Sequence, residues 1–252
     1  MSFISEVTRL KDAKNDIRTS IISKGVDVDS SATISNYSEF IDMIPPYIPV
    51  PANLSECEYD NIGRLISCTT NSNVTSIDGE FRRCSKLASV SMPNVTVVND
   101  YSFTDCTSLA SVSMPNVTDV GQRAFFSCTS LTSVDLPNAV SVFNQAFQGC
   151  TKLTSVTLAK VERIYTQAFY GCTSLTSVDL PATVKAIYTN VFSSCKNLAS
   201  VTCRSTTPPI LNTNVFVNTS ANLVIYVPAE SVDTYKTAEN WSTYADRIQA
   251  IS

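Results

Sequence analysis

The sequence of 252 residues contains no histidine. This absence excludes Ser-His-Asp and Cys-His catalytic centres, zinc sites with histidine ligands, and the commonest general base near neutral pH. Glycine is also scarce, with six residues, too few for a glycine-rich loop that binds phosphate. We therefore expect a protein that is not an enzyme and that holds no cofactor or metal ion.

Charge and long apolar runs are scarce as well. Only 16% of the residues are charged and the net charge is −4, with no long basic run, so we expect no nucleic-acid partner. No run of roughly 18 consecutive apolar residues occurs, which predicts no insertion into a membrane. The amino-terminal region also lacks the continuous apolar core of a signal peptide, which favours a protein made in a cytoplasm and not exported by the general secretory route.

Cysteine, in contrast, is periodic. Six of the nine cysteines recur every 22 residues, or 23 at the last step, and they are Cys84, Cys106, Cys128, Cys150, Cys172 and Cys195. A phenylalanine stands three residues before each, a leucine three residues after it, and a valine six residues after it. A fixed period near 22 residues is the signature of a solenoid.

Each repeat unit carries the pattern of one short strand. Leucine, valine and a further apolar residue follow the cysteine as Leu-x-x-Val-x-Leu, which predicts a strand with one buried face. One unit cannot bury that face alone, so neighbouring units must stack. We predict a repeat solenoid with a parallel sheet on one face and short helical turns or loops on the other. Its strands are expected near residues 87–92, 109–114, 131–136, 153–158, 175–180 and 198–203.

Residues 161–184 show the full frame, Ala-Phe-x-x-Cys-x-x-Leu-x-x-Val-x-Leu-Pro preceded by Val-x-x-Ile. This frame resembles the BspA-like, or Treponema-type, leucine-rich repeats, and the resemblance covers roughly residues 72–228. It implies a leucine-rich-repeat solenoid, which we place at residues 55–228. The ending, residues 229–252, is similar to the closing segment of such proteins, and we interpret it as a carboxy-terminal cap in which Ser231, Tyr235, Trp241, Tyr244 and Ile248 form helical turns.

The first 45 residues do not follow the repeat. An apolar stripe with helical spacing predicts an amphipathic helix that docks or oligomerises, and it consists of Phe3, Val7, Leu10, Ile17 and Ile21. Residues 46–54 form a proline-rich linker. Residues 1–45 are similar to amino-terminal segments of tailed-phage virion proteins, and this resemblance implies attachment to other virion proteins or to further copies of the chain. The alternative is that the helix covers the first repeat as a cap.

The periodic cysteines are predicted to form a buried structural ladder. A metal or redox site is the alternative, but no Cys-x-x-Cys motif is present. Cys57 and Cys68 lie outside the ladder and could face each other across a hairpin. Asp135 and Asp179 occupy equivalent positions two units apart, roughly 10 Å by the strand spacing, which is too far for a catalytic carboxylate pair.

The turns after the strands carry aromatic residues on successive units. These are the predicted ligand-binding residues: Phe143, Tyr165, Tyr188, Phe126 and Tyr170. Clustered surface aromatics mark binding patches for glycans or proteins, although such rings can also stack on one another only to join the units. The exposed strand positions are mostly serine and threonine, which fits either a hydroxyl-lined glycan groove or a solvated sheet face.

These observations predict a non-enzymatic binding module of a phage virion, of the tail or head fibre or decoration type. Its repeats would adhere to a glycan or protein of the host cell surface or of mucosa. The alternative is a BspA-like bacterial cell-surface adhesin whose signal peptide is missing from the sequence. The expected location is accordingly the virion or, in the alternative, the bacterial cell surface.

Overall fold

The computed structural model of the chain describes residues 54–60 and 64–251, and the helix predicted for residues 1–45 lies outside them. The described part contains strands that are numbered in chain order: β1 (Leu54–Tyr59), β2 (Leu65–Thr70), β3 (Ser76–Ile77), β4 (Ser89–Ser91), β5 (Val97–Val98), β6 (Ser111–Ser113), β7 (Asp119–Val120), β8 (Ser133–Asp135), β9 (Ser141–Val142), β10 (Ser155–Thr157), β11 (Arg163–Ile164), β12 (Ser177–Leu180), β13 (Ala186–Ile187), β14 (Ser200–Cys203), β15 (Ile210–Leu211), β16 (Val224–Val227) and β17 (Ile248–Ala250).

The strands form two ladders, which are parallel except at β1. From β2 to β15, each turn of the chain, which we call a rung, contributes one strand to each ladder. On the first ladder, hydrogen bonds join three successive groups, β1-β2-β4-β6, β8-β10 and β12-β14-β16-β17. The second ladder is continuous and runs from β3 to β15 through every odd-numbered strand between them. The predicted repeat solenoid with its parallel sheet is therefore confirmed, and the face opposite the first sheet carries a second ladder of two-residue strands in addition to turns.

The strands of the first ladder are shorter than predicted. Residues 131–136 were expected to be extended, whereas β8 spans Ser133–Asp135. The reason is local, because the Leu131 N–H donates to the Cys128 carbonyl at 3.1 Å and so closes a tight turn instead of pairing with the next rung. The leucine position thus ends the turn and is buried before the strand begins.

The core lies between the two ladders and repeats from rung to rung. Leu131, Val134, Leu136, Cys128 and Phe125 are all buried, as the alternation of apolar residues predicts. The phenylalanines stack in one column with nearly parallel rings, and their centroids lie 4.8 Å apart at Phe81–Phe103 and 6.0 Å apart at Phe192–Phe216. Such stacking adds to the apolar burial that holds neighbouring rungs together.

Different structures cover the two ends of the core. At the amino-terminal end, β1 pairs antiparallel with β2, and β2 is itself a rung because Cys68 is paired with Val90 of β4. At the other end, a 3-10 helix (Ala229–Ser231), helix α1 (Val232–Thr237) and a second 3-10 helix (Trp241–Arg247) follow β16. Ile248 does not belong to these helical turns, because it begins β17, which pairs parallel with β16.

The carboxy-terminal turns also satisfy the edge of the second ladder. The Trp241 indole N–H donates to the Pro209 carbonyl at 2.8 Å, and the Asn240 amide donates to the Leu211 carbonyl at 2.8 Å. Trp241 is fully buried, with Tyr235 packed edge-on against it. Edge carbonyls that would otherwise remain without partners are therefore capped by side chains. In the part of the chain that the structure describes, no helix has the length and apolar character that a membrane span requires.

Candidate binding surface on the turns

Each turn contains a residue with a left-handed backbone at the position five residues before the cysteine or its equivalent. We call this set the outer column, and its members are Gly79, Tyr101, Arg123, Gln145, Gln167, Asn190 and Asn214. From Tyr101 to Asn190 their backbone N–H groups donate to carbonyls of the next rung, as when Arg123 donates to the Asn144 carbonyl and Gln145 to the Thr166 carbonyl, both at 2.9 Å. The left-handed conformation favours glycine, but the middle of the column carries long planar side chains instead.

Beside the outer column, three predicted aromatic residues form one stack, which we call the aromatic row. Phe143 and Tyr165 have ring centroids 4.9 Å apart, and Tyr165 and Tyr188 have theirs 4.8 Å apart, with planes within 10° of parallel. All three side chains are half-buried. The neighbours cover both faces of the Tyr165 ring, so its exposed part is the ring edge.

The rung before the row has no side chain at the equivalent position, because it carries Gly121. A Cβ atom there would lie 2.6 Å from the Asn99 carbonyl carbon, so the close approach of two backbones requires glycine. The Asp100 carboxylate lies over this position and accepts a hydrogen bond from the Gln122 N–H at 2.7 Å. The aromatic row therefore ends at Phe143.

The other two predicted aromatics lie outside the row. Phe126 packs under the Arg123 guanidinium, whose carbon is 5.4 Å from the ring centroid. The same guanidinium carbon lies 6.0 Å from the centroid of Tyr101, so Arg123 contacts two aromatic rings. We call Tyr101, Arg123 and Phe126 the arginine clamp. Tyr170 is half-buried and joins no ring stack among the described residues.

Amide side chains join the clamp to the aromatic row. The Arg123 Nε donates to Gln145 Oε1 at 2.7 Å, and the Gln145 amide donates to Gln167 Oε1 at 3.2 Å. Gln145 and Gln167 lie two residues after Phe143 and Tyr165 in the chain. The clamp, the amides and the row thus form one strip of surface across successive rungs, at about 4.8 Å per rung.

Sequence reasoning missed Tyr101, Arg123, Gln145 and Gln167, although a signal was present. All four stand seventeen residues after a periodic cysteine, so they occupy one column of the solenoid. Their residue types differ, and a column is recognisable from composition only when its members are alike. The structure shows why they belong together, because each contacts its neighbour on the adjoining rung.

The periodic cysteines lie in a buried column. From Cys106 onward each thiol donates to the carbonyl of the phenylalanine on the preceding rung, for example Cys150 to Phe125 at 3.2 Å and Cys195 to Phe169 at 3.1 Å. Burial raises the pKa of the Cys84 and Cys195 thiols to about 12 and that of Cys150 well above its ordinary value. Protonated thiols of this kind are poor nucleophiles and poor metal ligands.

Cys57 and Cys68 do adjoin each other on the paired strands β1 and β2. The Cys68 thiol hydrogen bonds to the Cys57 thiol, and burial, with the neighbouring thiols adding to it, raises the pKa of Cys68 to about 12. Both residues are present as thiols. Within residues 54–60 and 64–251, no group of three or more cysteine, aspartate or glutamate side chains is placed to hold a metal ion.

Threonines that directly precede the strands make hydrogen bonds between rungs. Thr118 donates to the Thr96 carbonyl at 3.2 Å and Thr154 to the Thr132 carbonyl at 3.0 Å. Asp179 of the first ladder makes a two-point ion pair with Arg204, with distances of 2.6 and 2.8 Å. The Asp179 carboxylate is therefore paired with a guanidinium on the surface of the first ladder.

Comparison with known proteins gives a match over most of the chain. The family model described as the BspA type leucine rich repeat region, with six copies, matches residues 52–145 and 118–238. Among curated proteins, none has a significant match to this sequence.

Three crystal structures of bacterial proteins show similarity. A leucine-rich repeat protein from Bacteroides ovatus is 22% identical over 74% of this chain and 66% of its own, with a TM-score of 0.42, so the chain spans less than two thirds of that protein. The leucine-rich repeat protein of T. pallidum is 21% identical over 69% of this chain and 89% of its own, with a TM-score of 0.47. A leucine rich cell surface protein from Faecalibacterium prausnitzii is 20% identical over 70% and 74% of the two chains, with a TM-score of 0.36.

Proposed function

Because the chain belongs to the BspA-type leucine-rich repeat family, we propose that it is a binding module that uses the turns of its solenoid for adhesion, and that it is not an enzyme. The observation that carries the proposal is the aromatic row on the surface of three successive rungs. Aromatic side chains are large contact surfaces with little rotamer entropy to lose, which is why they concentrate at binding sites.

The geometry of the row limits how a ligand is bound. Stacking covers both faces of Tyr165, so a ligand meets ring edges and the tyrosine hydroxyl groups there. The stacking itself strengthens the solenoid, and its half-exposed edge supplies the contact. Gln145 and Gln167, two residues after Phe143 and Tyr165 in the chain, add amide groups to the same turns.

For the setting of this module, the proposal is a phage virion, where residues 1–45 attach the repeats to other virion proteins. Its support is the sequence similarity of those residues to amino-terminal segments of tailed-phage virion proteins. A host surface or mucosal glycan or protein is then the ligand. The alternative setting is the bacterial cell surface, with the chain as an adhesin, and membership in the repeat family agrees equally well with it.

Adhesion is tested with the full chain and its Tyr165→Ala variant on host cells and on mucin-coated surfaces. We expect the substitution to lower the bound amount about tenfold or more, because loss of an anchor at the centre of a contact costs ~2 kcal/mol. Tyr226→Ala is the matched control, since Tyr226 is a half-buried tyrosine on the strand face and not on the turns. Tyr165→Phe keeps the ring stack and separates the role of the hydroxyl group from that of stability. Equal adhesion of Tyr165→Ala and the original chain, both folded by circular dichroism, contradicts the proposal.

The setting is tested by mass spectrometry of purified particles and of bacterial surface fractions. The virion setting is supported if peptides of this chain are found in purified particles and their ratio to capsid-protein peptides stays constant through further purification. Peptides released only by surface proteolysis of intact bacteria support the adhesin. Absence from both fractions, with the chain present in the cell interior, contradicts both settings.

A further inference from the structure

We propose that the arginine clamp binds an oxyanion, a carboxylate or a phosphate, of an acidic surface glycopolymer whose chain continues along the aromatic row. This inference rests on the proposed binding function and adds to it the chemical class of the ligand. Its support is the set of contacts that fix the Arg123 guanidinium, and not the number of basic residues on the molecule.

The guanidinium of Arg123 is fixed from three directions. The ring centroids of Phe126 and Tyr101 lie 5.4 and 6.0 Å from its central carbon, and its Nε donates to Gln145 Oε1 at 2.7 Å. Cation–π contacts of this kind hold a guanidinium without using its N–H groups. The two Nη groups have no acceptor among the described residues, so the fork that matches a carboxylate or phosphate is left for a ligand.

The charge around the clamp also favours an anion. Tyr101 is contacted by a second arginine, Arg82, whose guanidinium carbon lies 5.5 Å from the centroid of the ring. Within the described ranges Arg82 makes no ion pair. Asp105 is engaged by Arg83 at 3.9 Å, and Asp100 accepts the Gln122 N–H. Among the described residues, Arg82 and Arg123 therefore have no carboxylate within ion-pair distance, and both guanidinium groups contact the Tyr101 ring.

Other arginines on the described surface differ from Arg123 in this respect. Arg204 is paired with Asp179, Arg163 lies 3.5 Å from Glu162, and Arg64 is bonded to Asp60 at 2.6 Å. Each of these already has a carboxylate, so an incoming anion would have to compete with it. Arg163 is consequently the matched control, because it also stands on the second ladder side of the solenoid, on strand β11.

The clamp and the aromatic row form a site for a chain and not for a single ion. Gln145 connects Arg123 to Gln167, and these two residues lie on the same turns as Phe143 and Tyr165, two residues after them in the chain. From the Tyr101 rung to the Tyr188 rung the strip spans four rung spacings, which is about 19 Å. A polymer with repeated hydroxyl groups and an acidic group can place the acid at the clamp and its sugar rings along the row.

The experiment measures binding of the full chain to three probes by biolayer interferometry. These are oligogalacturonate, the same polymer after reduction of its carboxyl groups, and polyribitol phosphate. We expect binding to one or both acidic probes, weaker binding as salt is raised, and no binding to the reduced polymer at matched concentration. The two acidic probes distinguish a carboxylate ligand from a phosphate ligand.

Substitutions then assign the effect to the clamp. Arg123→Gln should weaken binding of the acidic probe roughly ten- to hundredfold, as loss of a hydrogen bond to a charged group does. Arg123→Lys keeps the charge but not the planar fork and should recover only part of it. Arg163→Gln should leave binding unchanged, and thermal unfolding should be the same for all three variants.

Each remaining outcome overturns the inference. If Arg123→Gln binds the acidic probes as well as the original chain does, the clamp does not bind an oxyanion. The same follows if the original chain binds the reduced polymer as strongly as oligogalacturonate. Binding of the reduced polymer that Tyr165→Ala abolishes overturns the inference while leaving the proposed function in place. Failure of all three probes overturns it as well, and the adhesion assay then judges the proposed function separately.

Discussion

The periodic cysteines have small side chains that can donate one hydrogen bond. From Cys106 onward each thiol donates to a phenylalanine carbonyl in the core, on the rung before it. Alanine would fit the space but leave that buried carbonyl without this donor, and serine would cost more to bury. The residue type thus follows from packing between rungs and needs no metal or disulfide.

These thiols give the stability of the fold a specific dependence on alkaline pH. Burial raises the pKa of Cys195 from 9.0 to about 12, so its contribution is complete below pH 9 and is lost as the pH rises toward 12. In the Cys195→Ala variant, the free energy of unfolding should fall less steeply above pH 9, by about 1.4 kcal/mol per pH unit. Urea unfolding between pH 8 and 11 measures the two slopes. Parallel slopes for both chains would show that Cys195 is not buried as a thiol.

The leucine three residues after each cysteine is the second residue on which the core depends. Leu153 is fully buried, and Leu153→Ala should lower the free energy of unfolding by about 2–5 kcal/mol because it leaves a cavity in a stack with little room to relax. Lys152→Ala, on the exposed neighbour, is the control and should change it by less than about 0.5 kcal/mol. Chemical denaturation measures both. A loss below about 1 kcal/mol for Leu153→Ala would contradict the rung packing described above.

At the scale of elements, the sequence predicts the rungs that keep the repeat and misses those that do not. The strands near Val134 and Val178 follow from the fixed period. Strand β2 is not recognisable in this way, because Cys68 stands where the other units have valine and Thr70 where most have leucine or methionine. Strand β17 escapes because the helical turns of the closing segment hide a step of 23 residues, from Ile225 to Ile248. Both end rungs are identifiable only from their pairing.

The candidate site was predictable in part for a similar reason. Phe143, Tyr165 and Tyr188 share a chemical type, so their column is visible in the sequence, and the structure stacks them. Arg123 contacts Tyr101 on another rung and Gln145 on a third, and no local pattern relates these residue types. Glycine would have marked the left-handed turn, but of the residues in the outer column only Gly79 is glycine.

The carboxy-terminal cap should control the stability of the last rungs only. Trp241→Ala should cost about 3–5 kcal/mol of local stability, since it empties a buried site and frees the Pro209 carbonyl. Solenoid rungs contact mainly their neighbours, so hydrogen exchange should accelerate in β14–β17 and remain unchanged in β8 and β10. Trp241→Phe, which removes chiefly the hydrogen bond, should show a smaller effect in the same rungs. Uniform acceleration along the solenoid would contradict local capping.

At the scale of the whole molecule, the prediction concerns residues 1–45. The apolar stripe that begins at Phe3 and Val7 is expected to make the chain dock on a larger assembly, with limited self-association, through this segment and not through the repeats. Light scattering should give a larger mass for the full chain than for a chain that starts at Ala52, once each is divided by its monomer mass. If both chains scatter as monomers, and the shorter chain is much less stable, the segment is only a cap.

The hydrogen bonds from one rung to the next have a consequence for how the number of repeats can change in evolution. Thr118 bonds to Thr96 and Thr154 to Thr132 in the same way, so each rung offers its successor nearly the same set of donors and acceptors. Duplication or deletion of one 22-residue unit by unequal recombination would therefore keep all columns in register and leave both caps intact. The length of the solenoid can therefore change in steps of about 4.8 Å while the fold stays the same. Only the side chains of the strip would need selection afterwards.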